Sequence, residues 1–173
     1  MIINVELQLA SPGEDVPAAG LFQDWVNAAA CLAGVDARGG IDEAELAIRV
    51  VGAEESRELN HRYRQLDRPT NVLAFPAEVP EYVGEPALGD LVICRDVVLR
   101  EAREQGKPEP AHWAHMVIHG TLHLLGHDHQ DADQASEMEA LEVQILDRLG
   151  YADPYRARAG SAPPAARAED ATP

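Results

Sequence analysis

His115-Met-Val-Ile-His119-Gly120-Thr-Leu-His123-Leu-Leu-Gly126-His127-Asp128-His129 holds five of the seven histidines of this chain. On a helix, residues at i and i+4 differ by about 40° in direction and about 6 Å in rise. His119 and His123 therefore project from one face, close enough to chelate one ion. Gly126 is placed to end that helix in a left-handed turn, and the reversal brings His129 back toward the same face. His129 is the favoured third ligand. A row of His115, His119 and His123 is also geometrically available, whereas His127 follows Gly126 too directly to reach back. His115 and His112 read better as structural or supporting histidines, and Asp128 as a carboxylate that stabilises the turn.

The spacing matches the metzincin protease pattern H-E-x-x-H-x-x-G-x-x-H except at one position, where Gly120 replaces the glutamate that takes a proton from the metal-bound water. The ligand scaffold is shared, but peptide hydrolysis lacks its general base. Three histidines with an open coordination position still make a catalytic rather than a closed structural site. Zn²⁺ in such a site lowers the pKa of its water to about 7. Phosphodiester cleavage suits this centre if a cation stabilises the added charge, which the planar arginine fork does well.

Working outward, residues 2–9 alternate as a strand and Ser11-Pro-Gly-Glu-Asp15 makes a loop. From Pro17, residues Leu21, Phe22, Trp25, Val26, Ala29 and Leu32 recur at helical spacing until Gly34. Gly39-Gly40 is a turn. Residues 44–51 alternate as a half-buried strand, 54–64 form a short helix, and Pro69–Pro76 is a proline-bounded strand at a sheet edge. A loop over 77–87 leads to a strand at 88–94, then a helix at 95–105 that ends at Gly106. Helices at 110–125 and 132–149 follow, the last opened by Asp131 with Gln134 three residues on, as in a capping box. The order β-α-β-α-β-β-α-α-α predicts an α+β fold: a small mixed four-stranded sheet packed with about five helices, the histidines lying on a helix and the turn after it. Residues 1–155 read as one domain, and 156–173, poor in apolar side chains, as a disordered tail.

The chain has 173 residues, a hydrophobic fraction of 46% and a formal charge of −16. That charge counts against a generic nucleic-acid binder, since phosphate binding normally relies on a basic surface. Four of the 14 Lys and Arg residues nevertheless fall between 57 and 68, as Arg57, Arg62, Arg64 and Arg68. RNA binding must rest on that local patch. No leader peptide and no 18-residue apolar run is evident, so a cytoplasmic protein is expected. Cys31 and Cys94 are read as two buried thiols in a reducing compartment.

His119-Gly-Thr-Leu-His-Leu-Leu-Gly-His-Asp-His129 resembles the signature of the YbeY endoribonucleases. The likeness continues through Leu59-Asn-His-Arg-Tyr-Arg-Gln-Leu-Asp-Arg-Pro-Thr-Asn-Val-Leu-Ala-Phe-Pro76, Leu88-Gly-Asp-Leu-Val-Ile-Cys94 and Ala111-His-Trp-Ala-His115, and spans essentially residues 1–155. The resemblance implies a zinc-dependent, single-strand-specific endoribonuclease of 16S rRNA 3′-end maturation, rRNA processing and 70S ribosome quality control. It implies one Zn²⁺ held by His119, His123 and His129, with His119 and His123 also counted as catalytic, and a functional arginine at Arg64 of the Tyr63-Arg64 pair. Implied partners are ribosomal RNA, the small ribosomal subunit, ribosomal proteins and a ribosome-assembly GTPase. Two departures stand out: His127 where tyrosine is common, and Ala74 where serine is common. Two alternatives stay open, a non-enzymatic ribosome assembly factor with a structural metal and a metzincin-like zinc hydrolase acting on peptides.

Overall fold

Inward-facing apolar residues at every second position define the sheet. In the computed structural model, which describes residues 1–34, 43–78 and 86–156, β1 (Ile2–Leu9) turns Ile3, Val5 and Leu7 inward. β2 (Glu43–Val51) contributes Leu46, Ile48 and Val50 to the same face, β3 (Val72–Pro76) Val72 and Ala74, and β4 (Ala87–Cys94) Leu91 and Ile93. The sheet order is β1-β2-β4-β3; β1, β2 and β4 are parallel and β3 runs antiparallel to β4. The fold is therefore the expected mixed α+β arrangement, with five helices among the described residues, and β3 lies at an edge. The turn expected at Gly39-Gly40, much of the loop expected over 77–87 and the tail expected beyond residue 156 fall outside the described residues.

β3 is shorter than the proline-bounded stretch suggested. Residues 68–71 are tied mainly to helices, and only the Asn71 carbonyl, which accepts the Cys94 N–H at 2.9 Å, still meets the neighbouring strand. Asn60 Nδ2 donates to the Arg68 carbonyl at 2.8 Å, the Ser56 hydroxyl bonds both the carbonyl and the N–H of Thr70 at 3.0 and 2.9 Å, and Asn71 Nδ2 donates to Glu101 at 3.1 Å. Ser56 and Asn60 belong to α2 (Ala53–Arg64), Glu101 to α3 (Arg95–Gln105).

The main core lies between the inward sheet face and two helices, α1 (Ala19–Leu32) and α4 (Glu109–Leu124). Phe22 and Trp25 of α1 meet edge to face, and Phe22 meets Trp113 of α4 in the same way. α5 (Ala132–Arg148) packs on α4 and α1. A smaller cluster of Val51, Leu73, Val92, Cys94 and Val97 covers the opposite sheet face beneath α2. Ala74, where serine is common in the resembling family, is fully buried in the main core and leaves no hydroxyl there to satisfy.

α4 is enclosed on every side, with each residue from His112 to His123 buried. A helix apolar all round is expected in such a place, yet this one carries four histidines into it. Buried polar groups require partners, and those of three of the histidines come from acidic residues of α3 and α5. One thiol departs from expectation: Cys94 is buried, but Cys31 is exposed. It lies beside, not on, the α1 seam made by Phe22, Trp25, Val26, Ala29 and Ala30.

Candidate metal centre

α4 ends as the sequence anticipates. Gly126 has φ +94°, its N–H bonds the His123 carbonyl at 3.0 Å, and the His127 N–H bonds the Leu122 carbonyl at 3.0 Å. This pair of bonds is a Schellman cap, and it turns the chain back along the helix. Asp128 Oδ1 then accepts the backbone N–H of His129 at 2.7 Å, the turn-stabilising part expected of it. α5 starts three residues further on, with Asp131 accepting from the Gln134 N–H at 2.8 Å as its N-cap.

This reversal draws His119, His123 and His129 together. One ring nitrogen from each lies within 4.8 Å of the others, in a group that can hold a metal ion. The Nε2 atoms of His119 and His123 are 3.2 Å apart. Two nitrogens bound at about 2.0–2.1 Å on a tetrahedral zinc ion would be about 3.3 Å apart, so this pair fits such an ion, and the third imidazole offers a nitrogen within 4.8 Å of both. His127 is half-buried outside the group. A cavity of about 90 Å³ opens beside the centre, with His119 and His129 facing Met138, Glu139, Glu142 and Tyr155.

His115 is not part of the trio. Its Nε2 meets Glu142 Oε2 at 3.1 Å and the Tyr155 hydroxyl at 3.2 Å. Glu142, from α5, is fully buried and also accepts from Nδ1 of His119, while the Tyr155 hydroxyl donates to its Oε2. Burial pushes the Glu142 carboxyl upward, but the hydrogen bonds from His115 and His119 outweigh it and hold the group well below the usual carboxylate range. Burial likewise pushes the His115 imidazole down, against the pull of Glu142. One turn earlier on α4, His112 Nε2 meets Glu101 Oε1 at 3.1 Å, and Asn71 bonds the same carboxylate.

Glu142, Tyr155 and Glu101 are missing from the sequence reading. The signal for Glu142 lies in the spacing of α5: it falls four residues after Met138 and three before Ile145, on the buried seam, where an acid needs a partner. Glu101 sits likewise among Val97, Val98 and Ala102. Arg64 is the last residue of α2 and half-buried; it does not line the cavity beside the histidines. Arg57 is engaged elsewhere, its Nε and Nη2 donating to Asp67 at 2.7 and 3.0 Å. The arginine patch available to a ligand is therefore smaller than the composition suggests.

Fold and site together define an α+β protein with a three-histidine cluster at the C-terminal end of its central helix. The model of the family described as "Endoribonuclease YbeY" matches residues 15–150. A protein of Cellvibrio japonicus (strain Ueda107) named "Endoribonuclease YbeY" is 50% identical over 152 residues, 88% of this chain and 82% of that relative. The chain belongs to the endoribonuclease YbeY family. A solution structure of TM1509 from Thermotoga maritima shares the fold, with a TM-score of 0.52 at 23% identity over 84% of this chain and 92% of that one. No helix among the described residues is long and apolar enough to cross a membrane.

Proposed function

We propose that this chain is a metal-dependent endoribonuclease that cuts single-stranded regions of ribosomal RNA. The observation that carries the proposal is the convergence of His119, His123 and His129 at the end of a buried helix, in a member of this family. Zn²⁺ is the ion best suited to three imidazoles and an open position. When bound it would supply Lewis acidity and lower the pKa of a water to about 7. His119, His123 and His129 hold it. Arg64 binds the scissile phosphate and stabilises the negative charge that develops there. Arg62, exposed on the same last turn of α2, adds to the phosphate-binding surface.

The formal charge of −16 supports a partner-assisted arrangement. An acidic protein is repelled by bare RNA but attracted by basic ribosomal proteins. Docking on the small subunit, with ribosomal proteins and an assembly GTPase as neighbours, would deliver the site to the 3′ end of 16S rRNA in the cytoplasm. The same docking would serve quality control of assembled ribosomes.

The test is to incubate metal-analysed protein, beside a His123→Ala control, with single-stranded rRNA and with an unstructured polypeptide. Cutting of RNA alone, lost in the control, is the expected result. Cutting of the polypeptide would favour the metzincin-like alternative. If neither is cut, with or without ribosomes, although one metal is bound, the assembly-factor reading gains.

A further inference from the structure

We infer that Glu142 is the positioning residue of the metal centre, holding the His119 imidazole with Nε2 bare and directed at the three-histidine cluster. The inference rests on the metal-site reading above and deepens it. A carboxylate only accepts hydrogen bonds. Because Nδ1 of His119 meets Glu142 Oε1, Nδ1 carries the proton. The neutral ring then keeps its lone pair on Nε2, the atom 3.2 Å from His123 Nε2. Metal-ligating histidines commonly donate their other N–H in this way, which fixes the tautomer and makes the ligand more basic.

Glu142 is itself held from two further directions. His115 Nε2 lies 3.1 Å from Oε2, and the Tyr155 hydroxyl donates to the same oxygen. The carboxylate thus takes three donors while fully buried, an arrangement that leaves its plane little freedom. Burial of a charge is weak evidence of a stabilising role, since apolar replacements often fold as well or better. The same helix offers an internal comparison. His112 and Glu101 form a second buried pair at 3.1 Å, but neither belongs to the metal-holding group. A role in folding alone would be shared by both pairs. A role in positioning belongs only to Glu142.

Zn²⁺ and Co²⁺ dissociation constants, measured on the full chain by competition with a chromogenic chelator, test the inference. The proteins compared are wild type, Glu142→Gln, Glu142→Ala and Glu101→Gln, together with the Co²⁺ absorption spectrum of each. Folding is checked by circular dichroism, and if Glu142→Ala does not fold, Glu142→Gln carries the test. The expected result is metal binding weakened about 10–100-fold by the Glu142 changes, a shifted Co²⁺ spectrum, and Glu101→Gln close to wild type. Wild-type affinity and spectrum in folded Glu142 variants would overturn the inference and leave the metal site standing, as would an equal loss in Glu101→Gln. A wild-type protein that binds no metal would remove both readings.

Discussion

Gly120 lies directly against Leu91. A Cβ added at Gly120 would stand 2.7 Å from Leu91 Cδ2 and 3.3 Å from Val72 Cγ2. The residue after the first histidine of the cluster thus faces the sheet, against Leu91 of β4 and Val72 of β3. Zinc proteases of the metzincin pattern carry their glutamate at this place, and here the packing has no room for it. Alanine at an exposed helical glycine gains about 1 kcal/mol, but overpacking a core costs about 1–3 kcal/mol. Gly120→Ala is therefore expected to lower stability by about 1 kcal/mol, read as a lower urea midpoint. Gly120→Glu, which would also bury a carboxylate, should cost several kcal/mol and confer no peptidase activity. A Gly120→Ala protein more stable than wild type would show that the contact relaxes freely.

His123 is the central member of the histidine trio, with His119 and His129 at ring-centroid distances of 4.8 and 4.9 Å, against 5.6 Å between those two. Its replacement by alanine leaves two nitrogens where three converge. Metal content is expected to drop from one ion per chain to none after gel filtration, with RNA cleavage lost in parallel. Elemental analysis decides the matter: stoichiometric metal retained by His123→Ala would remove His123 from the ligand set.

Arg64 sits outside the histidine cluster, so the two parts of the proposed machinery separate by mutation. Arg64→Glu should leave metal occupancy at the wild-type level and slow RNA cleavage by about 100-fold or more, the scale of losing one transition-state donor. Single-turnover cleavage of a labelled RNA provides the rate. Unchanged cleavage would take Arg64 out of the reaction.

Local features carried most of the fold in the sequence. Alternation in residues 44–51, the helical seam from Phe22 to Leu32 and the glycine stop at 126 each act over one or two turns, and the structure has them at nearly the expected bounds. His129 was within reach of the same reasoning because a Schellman turn has a fixed geometry. Partnerships across space were not legible. Nothing local pairs Glu142 with His119, 23 residues away, or Glu101 with His112 across two helices. Arg57 looked like part of a basic patch because Asp67, its partner, lies ten residues on and beyond the end of the helix. The stretch from Pro69 to Asn71 read as strand for a similar reason: the side chains of Ser56 and Glu101 that claim it belong to other elements.

Asp131 closes the turn that carries His129 by capping α5. Its Oδ1 takes the Gln134 N–H at 2.8 Å, one of the donors a helix start otherwise leaves unpaired. Asp131→Ala should cost about 1 kcal/mol, seen as a lower thermal midpoint with the native circular dichroism spectrum kept. A midpoint equal to wild type would mean that the α5 start is held by its packing on α4 and not by its cap.

Removal of the metal distinguishes a catalytic ion from one that holds the fold. α4 is anchored by Trp113, Met116, Val117, Ile118 and Leu122, all fully buried. Each such side chain contributes roughly 1.5–3 kcal/mol by leaving water. The histidines lie along the polar side of this helix and in the turn after it, so the apolar anchoring does not depend on an ion. Chelation is expected to leave the far-ultraviolet spectrum unchanged and to abolish RNA cleavage. It should also lower the thermal midpoint only by the binding energy withdrawn, about 2.7 kcal/mol for an ion present at 100 times its dissociation constant. In a domain of this size that corresponds to roughly 5–11 °C. Re-addition of Zn²⁺ should restore both midpoint and cleavage. Loss of helical signal on chelation, recovered with the metal, would instead assign the ion to the fold and favour an assembly factor over a nuclease.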